Sequence, residues 1–393
     1  MFEISLFWIL YIKSSMKIVQ TNKAYYTKIG GIESTIKTLS EGLVKKENTS
    51  VHVLTCNSNH SIRTRDKIIN KVNVTYLPTY AFVTSLPISP GYFISLSKLS
   101  GDILHIHEPF PLADLSLHLY PRIKKNFSRI IVSWHSDIVR QKMVLSFYGK
   151  YIQKFLQIVD KIIVSNPNMI KNSDFLPLFK DKCEIIPIGT DLSWTDQSSS
   201  LNTYKGNIDQ EHSKPIILCV GRLVYYKGIE YLIDAMQYIS NVSLIIIGSG
   251  PLEIKLLKRI HRLDLDSRIK IIPEVDEKTL HSYYKTCDLL VLPSVEKSET
   301  YGIVQIEAMA CGKPVICTDL GTGTTFINQH GVTGLVVPPR NSESIVEAIN
   351  YILNDDNLKS KLGMQAKQKA FNEFSAEKMV QSVYQLYQDL LKT

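Results

Sequence analysis

Three stretches, IILCVG from Ile216, SLIIIG from Ser243 and DLLVLP from Asp288, constrain this chain more than anything else in it. Each is a run of apolar residues closed by a glycine or a proline, and in each case a helical pattern follows. Short apolar runs bounded in this way read as buried strands. Strand, tight turn and helix repeated along a chain is the signature of the α/β class.

One of these strands opens the stretch VLPSVEKSETYGIVQIEAMACGKPVI, Val291 to Ile316. A second apolar run, VICT, closes it, so a loop and a helix lie between two strands. The helix should start near Gly302 and stop before Gly312 and Pro314. Helical spacing aligns Ile303, Ile306, Glu307 and Ala310, which puts Glu307 in the stripe that would otherwise face the core. A carboxylate there needs a partner. Glu299 lies eight residues earlier, in the loop, so both acids can reach one ligand. The helix N-terminus offers free N–H groups to an anion, and Gly302 permits close approach. An anion flanked by two hydroxyl-binding carboxylates describes a nucleotide sugar. Taken as a bare pair of acids, Glu299 and Glu307 would be no more than a surface loop acid and a helix glutamate paired to a lysine.

The pattern E-x-Y-G-x4-E followed by A-M-A-C-G-K-P-V, Glu299 to Val315, resembles the donor-site signature of the retaining glycosyltransferases of family 4 (group 1). The resemblance covers residues 16–393 and is strongest after Cys219. It implies the α/β fold named GT-B, with two Rossmann-like domains whose parallel sheets face a central cleft. It also implies that Glu299 holds the donor hexose and Glu307 the ribose hydroxyls, with Tyr301, Gly302 and Ile303 lining the donor site.

A length of 393 residues suits two domains, each with enough apolar content for its own core. The six cysteines form no C-x-x-C pair and read as free thiols of a reducing compartment. Of the net charge of +8, residues 1–190 carry +11 and the remainder −3. A basic first half expects an anionic surface or acceptor, and an anionic membrane suits it. Nucleic acid is not expected as a partner. No apolar run reaches the length of a membrane span.

Residues 1–15 read as an N-terminal extension from an upstream start codon, with an interfacial anchor as the alternative, and MKIVQT from Met16 as the first strand. Gly30 and Gly31 then open a helix carrying Ile36, Leu39 and Leu43, a phosphate-approach geometry that the resemblance places near the donor phosphate. DILHIHEP, from Asp102, brings His107 and Glu108 to a strand end, and the resemblance makes them acceptor-side lining. IIVSWHSD, from Ile130, ends in His135 and Asp137 at the edge where open α/β sheets bind ligands. The resemblance gives His135 to the donor sugar, and Asp137 goes with the acceptor-side group. The basic and aromatic segment Arg140 to Val159 suits either a membrane surface or a core-packed helix. KIIVSN and EIIPIGTD then read as the last strands of a first domain spanning 16–192.

Residues 193–213 are polar and serine-rich and read as the linker. The second domain, 214–374, opens with a strand ending at Gly221, followed by Arg222 and Lys227. Two cations beside a strand end and a helix N-terminus are what a diphosphate needs, without a metal ion. RIKIIPEV, from Arg268, should supply the loop that meets the nucleobase. Asp264 and Asp266 form a literal D-x-D, but no apolar run precedes it, so no metal site is expected there. Residues 342–393 read as two or three helices, and the last segment, 375–393, is expected to return to the first domain.

The resemblance implies a metal-independent, retaining hexosyltransferase without a cofactor, in which His135, Glu299, Arg222 and Lys227 serve the reaction. HSDIVRQ, from His135, and TDLGTGTTFINQHGVTGLVVPP, from Thr318, resemble mannosyl- and rhamnosyltransferases of bacterial surface polysaccharides. That likeness points to GDP-mannose or a related GDP-sugar as donor, and to a lipid-linked glycan as acceptor. The expected place is the cytoplasmic face of the inner membrane, bound peripherally. A UDP-hexose donor is the alternative, and a non-catalytic GT-B carbohydrate-binding subunit is another; the latter would have no need of the phosphate-binding pair Arg222 and Lys227.

Overall fold

The computed structural model describes residues 15–25, 31–83, 86–136, 142–196 and 214–393, and of the side chains of 142–148 and 150 nothing is described. The chain forms two compact units, residues 1–134, 138–163 and 383–393 in one, and 135–137 with 164–382 in the other.

The first unit is built on β1 (Met16–Asn22), β2 (Thr49–Cys56), β3 (Arg65–Ile69), β4 (Val72–Leu77), β7 (Gly101–Glu108), β8 (Phe127–Trp134) and β9 (Lys161–Val164). A hairpin of β5 (Ala81–Val83) and β6 (Leu86–Ile88) stands apart from the sheet. The strand order runs β9-β8-β7-β1-β2-β4-β3. β1 pairs in parallel with both β2 and β7, so the direction of winding reverses between β1 and β7. The edge strand β3 pairs antiparallel with β4. Neither β3 nor the hairpin is foreseen from the sequence, because RDKII and AFV carry too short and too mixed an apolar signal.

The second unit carries β11 (Ile216–Val220), β12 (Ser243–Ile247), β13 (Ile269–Ile272), β14 (Leu289–Leu292), β15 (Val315–Thr318) and β16 (Gly334–Val337), in the order β13-β12-β11-β14-β15-β16. All neighbours pair in parallel. β11, β12, β14 and β15 are covered on both faces, which is why their runs are apolar without alternation. In β11, Ile217 and Cys219 join one core with the helices Ile229–Ala235 and Ser342–Leu353. Ile216 and Leu218 point the other way, into a core with Tyr284, Ile306 and Ala366.

Two stretches depart from the sequence reading. EIIPIGTD yields only the short β10 (Cys183–Ile185), since Pro187 has no amide hydrogen to donate to a ladder. The segment expected to be a plain linker begins as a docked turn, Ser193–Asp196. Trp194 in it stacks on His281 at 3.7 Å, and Lys285 Nζ donates to the Trp194 carbonyl over 3.0 Å. Residues 197–213 lie outside the described set.

Residues 383–392 of the last helix, Ala376–Lys392, belong to the first unit together with Thr393. There the Tyr387 hydroxyl meets His105 Nδ1 at 2.6 Å, and the Leu390 carbonyl accepts from Arg129 Nε over 2.8 Å.

Candidate active site

The second sheet is wound outward from its middle. The chain runs β11, β12, β13 to one side and β14, β15, β16 to the other, and β11 and β14 are hydrogen-bonded neighbours. At such a switch point the loops leaving the strands part and leave room for a ligand beyond their carboxyl ends. Arg222, Lys227 and Glu299 all follow those two ends.

Lys227 Nζ donates to Glu299 Oε2 at 2.5 Å, and the two side chains are only 12% and 10% exposed. Ser294 Oγ donates to the same carboxylate oxygen over 3.0 Å. The backbone is shaped to allow this. Gly221 takes φ +151°, and a Cβ there would lie 3.1 Å from Lys227 Cε, so glycine keeps the path of the lysine open. The loop bearing Glu299 is braced: Thr322 Oγ1 donates to the Glu299 carbonyl at 2.8 Å, and Gly323 N donates to the Thr300 carbonyl at 2.8 Å. Arg222 is exposed, and its Nη2 lies 3.2 Å from the Tyr226 hydroxyl as a donor to it.

The helix after the loop spans Ile303–Ala310, with Gly302 as its N-cap at φ +83°. A side chain at Gly302 would strike Leu292 Cδ2 at 2.7 Å, so the tight entry onto this helix requires glycine. Glu307 projects from the second turn, half-buried. Its partner is a tyrosine of the neighbouring helix Glu277–Thr286: Tyr284 Oη donates to Glu307 Oε2 over 2.6 Å. Burial raises the Glu307 pKa, and the tyrosine hydrogen bond works against that rise. The two acids thus rest on separate protein partners here, Glu299 on Lys227 and Ser294, Glu307 on Tyr284.

The other predicted site residues are placed as follows. Tyr301 is buried, and its hydroxyl donates to the Ile188 carbonyl at 3.2 Å, so its ring is core rather than surface of the site. Ile303 is partly buried as the first residue of the helix. In the first unit, Gly31 is exposed at the start of the helix Gly31–Leu43. His107 is buried, its Nε2 at 3.2 Å from Gln20 Oε1. Glu108 is also buried at the end of β7, where Oε2 accepts from the Phe110 amide over 2.6 Å. Burial pushes its pKa up to about 7 against that amide bond. His135 follows β8, and burial pushes its imidazole down to about 4, so it is neutral at physiological pH. Gly30 and Asp137 lie outside the described residues.

Of the segment from Arg140, the helix Lys142–Ile158 is described from its later turns. Ile152, Phe155 and Leu156 are buried, which assigns that apolar side to the core rather than to a membrane. Among the described residues no helix is long and apolar enough to cross a membrane. Also among the described residues, no cluster of three or more His, Cys, Asp or Glu could hold a metal ion. Asp266 of the D-x-D instead faces His261 Nδ1 at 3.3 Å.

Sequence reasoning missed Ser294, Tyr284 and Tyr226. Ser294 follows the proline that ends β14 and could have been found from its place at a switch-point strand end. Tyr284 carries no such signal, because it reaches Glu307 from a helix 23 residues away in sequence.

The family model described as Glycosyl transferases group 1 matches residues 202–369, and that described as Glycosyltransferase Family 4 matches 29–194. O-antigen chain mannosyltransferase C of Escherichia coli is 30% identical over 381 residues, 96% of this chain and 100% of that protein. D-rhamnosyltransferase WbpZ of Pseudomonas aeruginosa is 30% identical over 296 residues, 73% of this chain and 75% of that one. Among solved structures, sucrose-phosphate synthase from Thermosynechococcus elongatus is similar with a TM-score of 0.74 at 22% identity, over 96% of this chain and 99% of that chain. Anabaena HepE, solved in complex with UDP, has a TM-score of 0.75 at 16% identity, over 95% of this chain and 100% of that chain. With two parallel-sheet Rossmann-like units and matches along nearly its whole length, the chain belongs to the family 4, group 1 glycosyltransferases of the GT-B fold.

Proposed function

We propose that this glycosyltransferase moves a mannosyl or deoxyhexosyl group from a GDP-linked sugar to a hydroxyl of a lipid-linked glycan in surface-polysaccharide synthesis, with retention at the anomeric carbon and without a metal ion. The observation that carries the reading is the Lys227–Glu299 pair at the switch point between β11 and β14, with Arg222 on the same strand end. The names of the relatives, a mannosyltransferase and a D-rhamnosyltransferase, support the sugar class.

The chemistry follows from the donor inventory. A lysine ammonium has three hydrogens. One is directed at Glu299, which leaves two for diphosphate oxygens. Arg222 adds a planar fork suited to a second phosphate contact. As the glycosidic bond breaks, negative charge grows on the departing diphosphate, where fixed cations lower the barrier most. The N-terminus of the helix Ile303–Ala310 adds its dipole to the same end. Glu299 accepts from hexose hydroxyls with the oxygen that Lys227 leaves available, and Glu307, oriented by Tyr284, accepts from the ribose. His135, neutral, hydrogen-bonds the hexose near the reacting carbon. In the retaining reading, the leaving diphosphate takes the acceptor proton on the same face, so no protein nucleophile is required.

Donor choice is tested by melting the protein with GDP or UDP at equal concentration, beside transfer assays with GDP-mannose and UDP-glucose. GDP should give the larger shift. A larger shift and faster transfer with the uridine compounds would overturn the donor assignment.

A further inference from the structure

The first unit carries a surface that its fold does not use. Beyond β4 lies the edge strand β3, and beside it the hairpin β5–β6. Ser61 and Thr79 join the two regions by reciprocal backbone hydrogen bonds of 3.0 and 2.8 Å, and Tyr80 N donates to the Ile88 carbonyl at 3.0 Å. This brings together Ile62 and Tyr80, which are 76% and 55% exposed, and further along β5 Val83 is 55% exposed. A groove of about 450 Å³ opens among them, lined by Arg63 and Arg65 as well as Ile62, Tyr80 and His60.

Charge on an edge strand has an ordinary explanation, since it blocks pairing with another sheet. That accounts for Arg65 and Lys67. It does not account for the bulky apolar side chains grouped beside them, which blocking an edge does not require. Residues 61–71 hold four cations against one carboxylate, and that carboxylate, Asp66, already accepts from Thr75 Oγ1 at 2.6 Å. Among the described residues neither Arg63 nor Arg65 has a side-chain hydrogen bond or an ion pair. Aliphatic and tyrosyl side chains set among these guanidinium groups match the boundary layer of an anionic bilayer, where the apolar tips enter the acyl region and the arginines meet lipid phosphates.

We propose that this face, the β5–β6 hairpin with Ile62, Arg63 and Arg65, docks the enzyme on an anionic phospholipid surface. It deepens the proposed function in naming how a lipid-linked acceptor is met, and its test requires neither donor nor acceptor. The surface also relocates membrane contact away from the helix Lys142–Ile158, whose described apolar residues are buried.

The experiment is co-sedimentation of the full chain with vesicles of phosphatidylcholine alone or with phosphatidylglycerol added, at low and at high salt. Binding should need the anionic lipid and weaken with salt. Arg63→Glu with Arg65→Glu should lower partitioning by about tenfold or more, and Ile62→Ser with Val83→Ser should lower it while leaving the salt dependence. Both variants alter exposed side chains, so melting temperature and GDP binding should stay as in the parent. Unchanged vesicle binding in both variants would overturn the proposal. So would a chain that ignores anionic vesicles but loses a dimer when Ile62 and Val83 are replaced, which would make the face a contact between copies. Transfer to a soluble acceptor analogue separates the two readings: its loss in the parent defeats the proposed reaction, whereas vesicle binding alone decides the docking surface.

Discussion

Replacing Glu299 by alanine should destabilise the second unit yet make it hold GDP more tightly. The wild-type pair is 2.5 Å long with about nine-tenths of each side chain covered. Exposed pairs of this kind contribute about 0–1 kcal/mol, whereas removing one partner of a buried pair costs roughly 3–5 kcal/mol because a charge is left uncompensated. Lys227 retains some solvent, so the loss in Glu299→Ala should be about 3 kcal/mol, near the lower end of the buried range. For a unit of this length that is a fall in melting temperature of roughly 6–12 °C. A diphosphate supplies the missing counter-charge. GDP should therefore recover more stability in Glu299→Ala than in the parent, and calorimetric titration should show affinity raised by about fivefold, while transfer falls by roughly a hundredfold or more because the hexose has lost its acceptor. Lys227→Ala should do the opposite to affinity and weaken GDP binding. The decisive measurement is the GDP-induced melting shift in the parent and both variants. If that shift shrinks in Glu299→Ala as it does in Lys227→Ala, the lysine does not face a diphosphate and the reasoning fails.

Further outcomes are expected. Glu307→Ala should weaken GDP binding by roughly 1–3 kcal/mol, the cost of a lost charge-assisted acceptor, whereas His135→Ala should leave GDP affinity nearly unchanged and cut turnover by about a hundredfold or more; equal losses of binding in calorimetry would contradict the division of roles. Glu108, with its folded pKa at about 7 against an ordinary value of 4.5, binds its proton more tightly folded than unfolded. Its contribution to stability is therefore full below about pH 4.5 and lost as pH rises toward 7, so Glu108→Gln should flatten that part of the stability profile in urea titrations across the range. Activity should survive EDTA, since Lys227 and Arg222 supply the positive charge; loss with chelator, restored by manganese or magnesium, would refute it.

The α/β class, the places of β11, β12 and β14 and the span of the helix after Gly302 are legible in the residue string, because each depends on local periodicity and on what glycine and proline permit. The candidate site residues are legible as a set only through the spacing of Glu299, Gly302 and Glu307 and the cations after Gly221. Their partners are not. That Glu299 rests on Lys227 depends on β11 and β14 lying side by side, an adjacency of segments 72 residues apart that no local rule supplies. Tyr284 reaches Glu307 because two helices pack on the same face of the sheet. Tyr301 shows the reverse case: its sequence position marks it for the site, and packing turns its ring into the core, with its hydroxyl on Ile188. The edge hairpin left almost no trace in the sequence, since short strands with mixed polarity carry no period, and only pairing between Ser61 and Thr79 brings Ile62, Tyr80 and the two arginines onto one surface. Sequence determined which segments are buried, through the free energy of removing apolar side chains from water. Tertiary structure decided which charges meet, because pairing energy falls with distance and distance is set by the topology of the sheet.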